Sequence, residues 1–238
     1  MAADSADSLV FTDVEKSYGG LRPLRVRSLR LESATATMLI GFDRPTAEVF
    51  VNLVTGAALP DKGEVLAFGC PTSSIADAKS WLSFVEQFGI YSDRIVLLEA
   101  MSVLQNLALS FDLALEPVPA HVLDRVRHLA EEVGIDQGSL ASSVNDAPPL
   151  LRARVVLARA LALDPKALVL EHPSANLGKE DAAVFARLVR TITTARKLTT
   201  VGLLMDEGFA KTAGDRLLTW QPATGEMQER RRWRFPYF

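Results

Sequence analysis

Residues able to do chemistry are few in this chain, and they sit at the ends of apolar runs. The first group follows residues 38–40: Gly41-Phe42-Asp43-Arg44-Pro45-Thr46-Ala47-Glu48-Val49, leading into a second apolar stretch to residue 54. A strand, a glycine turn and a helix in that order can direct helix N-terminal N–H groups at a phosphate. That chemistry needs glycines for close approach and a lysine for charge. Here the frame is present and the binding parts are missing. Pro45 has no N–H to offer, Phe42, Asp43 and Arg44 restrict backbone angles that glycine would permit, and no lysine follows. Arg44 offers a cation from a new direction, while Glu48 adds a negative charge. The second group is Glu171-His172, after the apolar run 167–170. It sets a carboxylate able to bind a metal beside an imidazole able to act as general base. Against those roles, a lone carboxylate at a strand end is more often solvated or paired, and a histidine without a positioned substrate more often packs.

The elements that must position these groups read as alternating strands and helices. Strands are expected at 9–14, 25–31, 38–40, 64–68, 167–170, 199–205 and 216–220. Helices are expected at 46–54, 121–133, 150–163 and 179–196, with a short one after 205; residues 102–163 read as almost all helix. Val122, Leu123, Val126, Leu129, Ala130 and Val133 share one helical face. Strand–helix–strand at this spacing argues for parallel strands with right-handed crossovers.

Bulk properties narrow the class. The 238 residues are 48% hydrophobic and 23% charged, the balance of a folded protein with a proper core. No apolar run approaches the roughly 18 residues of a membrane span. The start, MAADSADS, is unlike a secretory signal, and residues 1–8 are expected to form a loose tail. The single cysteine, Cys70, excludes an internal disulfide and suits a reducing compartment; it is expected to be a small buried or loop thiol. A net charge of −3 gives no electrostatic reason to propose nucleic acid. The expected address is the cytoplasm, with peripheral placement on the inner face of the membrane left open. The end of the chain, 229–238, interleaves four arginines with Trp233, Phe235, Tyr237 and Phe238, types that suit a disordered end, a partner contact or an anionic membrane surface.

Five segments, in order, resemble an ATP-binding cassette, the nucleotide-binding subunit of ABC transporters. VEKSYGG at 14–20 is similar to the opening of such cassettes, with Tyr18 in the place of the aromatic that stacks on adenine; a surface aromatic is the alternative. LIG and VNLVTGAALPDKGEV, between 39 and 65, match the frame of the phosphate loop, with Gly41 and Gly56 at the family's spacing. GIYSDRIVLLEAMSVLQNLAL at 89–109 resembles the Q-loop and the entry to the helical subdomain. RARVVLARALALDPKALVLEHPSANL at 152–177 resembles the helix after the signature, the Walker B strand and the D-loop, and DEGFAKTAGDRLL at 206–218 the stretch after the H-loop. The resemblance implies an α/β P-loop NTPase (RecA-like) core with an antiparallel β portion. One domain is expected, with core at 9–93 and 159–227 and a helical subdomain at 94–158.

The family's functional positions are substituted throughout. Thr46 and Ala47 fall where the last glycine and the phosphate-binding lysine belong, and Glu48 and Val49 at the Ser/Thr pair. Asp93 stands at the Q-loop glutamine unless a register shift brings in Gln87. Ala147-Pro148-Pro149-Leu150-Leu151 replaces the signature, Glu171-His172 the Walker B Asp-Glu, Gly178 the D-loop aspartate and Met205 the H-loop histidine. A lost lysine contact is worth roughly 1.5–3 kcal/mol. A like charge about 4 Å away costs on the order of 4 kcal/mol at an effective dielectric near 20. Micromolar binding is only about 8 kcal/mol in all. ATP and Mg²⁺ are therefore implied by the family alone, and no metal ligand set is read from the residues. Three functions remain: a pseudo-ATPase partner of a membrane permease, a working ATPase subunit using Arg44 and His172, and a stand-alone regulatory module. The resemblance implies a permease docking on segment 89–98, through Ile95, Val96 and Leu97, beside the helical subdomain. It also implies a dimer with itself or another cassette.

Overall fold

The computed structural model describes residues 7–229. Most of the basic-aromatic segment 229–238 thus lies outside the described residues. The chain opens with strands β1 (Asp7–Lys16) and β2 (Leu24–Glu32), then β3 (Ala36–Ile40), helix α1 (Arg44–Val54), β4 (Lys62–Ala67) and β5 (Cys70–Pro71). Strand β1 starts two residues earlier than expected, with Ser8 buried against Thr199. Helix α2 (Ala78–Val85) and strand β6 (Phe88–Ser92) follow, then the helical region α3 (Val103–Ala108), α4 (Ala120–Glu132) and α5 (Pro149–Leu161). The chain closes with β7 (Ala167–Glu171), α6 (Lys179–Ala195), β8 (Thr199–Leu204), α7 (Glu207–Ala213), β9 (Arg216–Gln221) and β10 (Glu226–Glu229).

Two sheets result. One is antiparallel, in the order β2-β1-β4-β5; the other runs β10-β9-β3-β8-β7-β6, parallel except for β10. β3, β7 and β8 are buried along their whole length, which is why they read as continuous apolar runs rather than alternating ones. Between the sheets, α1 buries Phe50, Leu53 and Val54, with Val49 packed at the margin and Phe50 stacked on Phe11 at 4.6 Å. On the other face, a second core joins the six-stranded sheet to α5–α7 and to the apolar stripe of α4.

Several elements depart from the sequence reading. The stretch 102–163 is not continuous helix: Pro117 and Gly134 fall in turns, Pro119 and Pro148 precede α4 and α5, and Gln137–Ala141 is a single 3₁₀ segment. α2 was not expected; it is a short helix of eight residues of which only Phe84 is buried. β6 makes the first part of segment 89–98 an edge strand paired with β7. Gly89 permits this pairing. A Cβ there would meet the Ala160 carbonyl oxygen of α5 at 2.3 Å. Cys70 is exposed, on the short strand β5.

Candidate functional site

The carboxyl ends of parallel strands are where open α/β sheets bind ligands, and nearly every residue singled out above collects there. Ile40 of β3 pairs with Leu204 of β8, and Glu171 of β7 pairs with Ser92 of β6 and Leu203 of β8. Loop 41–43, Asp93, Glu171, His172 and Met205 therefore border one end of the sheet. Gln87 lies before β6, at the opposite end, where its carbonyl accepts from Lys166 and Ala167. Of the two residues the resemblance offered for the Q-loop position, Asp93 is the one at the site end of the sheet.

Gly41 keeps the left-handed conformation a tight turn requires (φ 99°), and its N–H donates to the Leu204 carbonyl. The rest of the loop is pulled into the protein. Phe42 is fully buried, stacked on Trp220 at 4.7 Å and edge-on to Phe50 at 5.6 Å. Asp43 then caps α1: its carboxylate accepts from the Thr46 N–H at 3.0 Å and from the Thr46 hydroxyl at 2.6 Å. The positive end of the helix dipole, where a phosphate would bind, already holds this carboxylate. Ala47 is completely buried, so a residue at the lysine position faces core rather than a ligand.

Two ion-pair systems cross the remaining space. Arg94 reaches Glu48 on α1 at 2.9 Å and Glu171 on β7 at 2.8 Å. The Glu171 side chain is 0% exposed, so the guanidinium is its counter-charge. The hydrogen bond to Glu171, followed by the charges of Glu171 and Glu48, raises the Arg94 pKa against an opposing desolvation. Arg44 meets Asp93 at 2.6 Å, and the Asp93 side chain is only 6% exposed. The cation expected to face a ligand is thus engaged within the protein. Arg94 itself was not singled out from the sequence; its signal was a second arginine adjoining the Q-loop position.

The other positions are scattered in role. His172 adopts a left-handed φ of 45°, donates its N–H to the Leu203 carbonyl, and buries Nε2 without a hydrogen-bond partner. Met205 is 61% exposed. Tyr18 is half-buried against the inter-sheet core; burial, then the charge of Asp43, raises its phenol pKa. At the signature position, Pro148 precedes α5 and Pro149 begins it, so neither offers an N–H. On the docking segment, Leu97 is 3% exposed and belongs to the core, and Ile95 packs half-buried beside it. Val96 (76% exposed) and Leu98 are the residues presented outward, which corrects the expectation for Leu97.

These residues do not fit a magnesium nucleotide. The helix end is occupied by Asp43, Glu48 and Glu171 are joined through Arg94, and Ala47 rather than a lysine follows Thr46. Among the described residues no group of three His, Cys, Asp or Glu is placed to hold a metal ion, and no helix is long and apolar enough to cross a membrane.

No family model matches the chain. Individual relatives do. It is 30% identical over 176 residues to the tungstate uptake system ATP-binding protein TupC of Peptoclostridium acidaminophilum, covering 72% of this chain and 75% of that protein. It is 27% identical over 216 residues to the sulfate/thiosulfate import ATP-binding protein CysA of Thermosynechococcus vestitus, covering 88% of this chain. It spans 60% of the length of that CysA protein. Two solved structures share the fold at 17% identity. The dimeric bacterial ABC transporter cassette MJ0796 superposes with a TM-score of 0.72, over 89% of this chain and 93% of its own. CbiO1 of Clostridium perfringens, part of the ABC transporter complex CbiONQ, gives 0.76 over 94% and 85%. With the P-loop NTPase architecture of these cassettes and the identity shared with TupC, the chain belongs to the ATP-binding cassette family of ABC transporters.

Proposed function

We propose that this chain is a cassette subunit of an ABC import system that serves a membrane permease as an architectural or regulatory partner and neither binds ATP tightly nor hydrolyses it. The observation that carries this reading is the guanidinium of Arg94 bridging Glu48 and Glu171. In the resemblance set out above, those two positions belong to the residues that hold the nucleotide's magnesium. The protein supplies its own cation between them, and Asp43 supplies its own anion at the helix end. Binding a magnesium nucleotide would require breaking both arrangements, a cost of several kcal/mol against the roughly 8 kcal/mol of micromolar affinity. The reading as a working ATPase needs Arg44 and His172 free for a ligand; Arg44 is engaged by Asp93, and nothing positions a phosphate beside His172.

Import is taken from the relatives, whose names describe tungstate uptake and sulfate/thiosulfate import. The permease-facing surface we assign to Val96 and Leu98 and to the adjoining cleft of about 270 Å³, lined by Phe88, Ile90, Ile95, Arg159, Leu163 and Pro165. An apolar cleft beside outward-facing aliphatic side chains suits a short amphipathic helix. This favours a permease partner over the stand-alone module. Titration calorimetry with ATP–Mg²⁺ tests the nucleotide half of the proposal. No saturable binding is expected below about 1 mM, and a micromolar dissociation constant would sink it.

A further inference from the structure

A second cavity lies beyond the Arg94 bridge, between the carboxyl ends of β6 and β7 and the start of α5. Its volume is about 320 Å³, at the small end of the range for ligand pockets, roughly 300–1,000 Å³. Tyr91, Ile95, Leu97, Val156 and Leu177 give it apolar walls. Its polar end is made by Asp93 and His172, and each carries a buried atom with no hydrogen-bond partner: Asp93 Oδ1 and His172 Nε2. Oε1 of the fully buried Glu171, the residue before His172 in the chain, is likewise unpartnered. Buried polar atoms left unsatisfied are costly, and Asp93 Oδ1, a carboxylate oxygen that can only accept, marks a missing donor at the cavity wall.

The charges agree. Three carboxylates, from Glu48, Asp93 and Glu171, face two guanidiniums, from Arg44 and Arg94, which leaves one negative charge. Nearby charges do not remove it. Arg152, which also lines the cavity, is paired with Glu99 at 3.6 Å and donates to the Val144 carbonyl, and Asp43 is held by the α1 N-terminus. The negative charge of Asp93, after burial, helps push the Tyr91 phenol pKa up. A metal ion would need a set of ligands that the described residues do not assemble. An ammonium needs only acceptors, brings several N–H donors, and can carry an apolar body into the walls.

We infer that this cavity is a binding site for a small primary amine with an apolar body, its ammonium held by Asp93 Oδ1 and His172 Nε2. Arg44 and Glu48 of the phosphate-loop segment enter only the charge balance, and the contacts assigned to the ammonium come from Asp93 and His172, which line the cavity. The test uses the full chain and benzylamine as the probe, with benzoate as the control, followed by nuclear magnetic resonance. Benzylamine should bind saturably, shifting the backbone signals of Ser92, His172 and Asn176, while benzoate leaves them unmoved. Asp93→Asn should weaken benzylamine about tenfold or more, the loss of one charge-assisted hydrogen bond. Leu177→Trp, which fills the cavity from the loop after β7, should abolish binding even where Asp93→Asn folds poorly. The proposal is overturned by any of three results: benzoate binding as well as benzylamine, binding untouched by Leu177→Trp, or no saturation by about 20 mM.

Discussion

Replacing Arg94 by alanine removes the guanidinium that joins three elements: its own loop after β6, Glu48 on α1 and Glu171 on β7. Glu171 would then be a fully buried carboxylate with no counter-charge. Deleting one partner of a buried ion pair costs roughly 3–5 kcal/mol. Arg94 and Glu48 are each about half exposed, at 47% and 49%, so solvent screening brings the expected loss to about 2–3 kcal/mol. For a chain of this size that lowers Tm by about 5–10 °C. Because the Arg94 pKa is raised, its contribution is complete below the ordinary arginine range and fades only as pH rises through the higher folded value. Measurement near neutral pH therefore captures all of it. The variant also exposes two facing carboxylates to divalent cations. At a magnesium concentration about ten times a millimolar dissociation constant, linkage returns about 1.4 kcal/mol, or about 3–5 °C. Thermal unfolding by circular dichroism, with and without magnesium chloride, reads both effects. The wild type should not respond to magnesium. A variant within about 1 °C of wild type, or equal magnesium responses in the two proteins, would refute the idea that Arg94 stands in for a metal.

Phe42→Ala should destabilise by about 3–5 kcal/mol, because the ring is fully buried against Trp220 and Phe50; denaturant titration checks this, and a loss under about 1 kcal/mol would mean the loop is not anchored by its aromatic. Ala47→Lys, which restores the family's residue, should lower stability and produce no ATP binding by calorimetry, since position 47 faces core. Val96→Asp with Leu98→Asp should abolish co-purification with a membrane permease and shift Tm by less than about 2 °C, both side chains being exposed; retained co-purification would move the docking surface elsewhere. His172→Ala should leave ATP turnover where it was, and a measurable ATPase that disappears with it would revive the catalytic reading.

The strands that carry the site were legible because they are wholly buried: 167–170 and 199–205 each lie within about one residue of the observed elements, and 38–40 begins two residues late. β6 was not, since FGIYS is short, contains glycine, and gains its strand character only by pairing with β7. The departure of Pro45, Ala47 and Glu48 from phosphate-binding residue types was legible in the sequence alone. What took the place of such residues was not. Arg94 is distant in sequence from both Glu48 and Glu171, and only the parallel pairing of Ser92 with Glu171 brings the three together. The docking residues show the same limit from the other side. Ile95, Val96 and Leu97 look alike as an apolar run, and burial alone separates Leu97, in the core, from Val96, on the surface.

The departures from the family's binding residues are not independent vacancies. Phe42 fills the inter-sheet core, Asp43 caps α1, Arg44 holds Asp93, and Arg94 ties Glu48 to Glu171. Groups sharing partners in this way couple in their energetics, so restoring one family residue removes a structural contact before it can rebuild a binding one. Two cassettes in a dimer, as the resemblance implies, form composite sites that each pair one subunit's phosphate loop with the other's signature. In this chain the loop is committed to Asp43 and Arg94, and the signature position is committed to the prolines that start α5. On the function proposed above, a competent partner cassette would meet an altered surface at both sites, and simple complementation would complete neither. The contacts of Phe42, Asp43 and Arg44 hold the strand–turn–helix frame of the loop from within the protein.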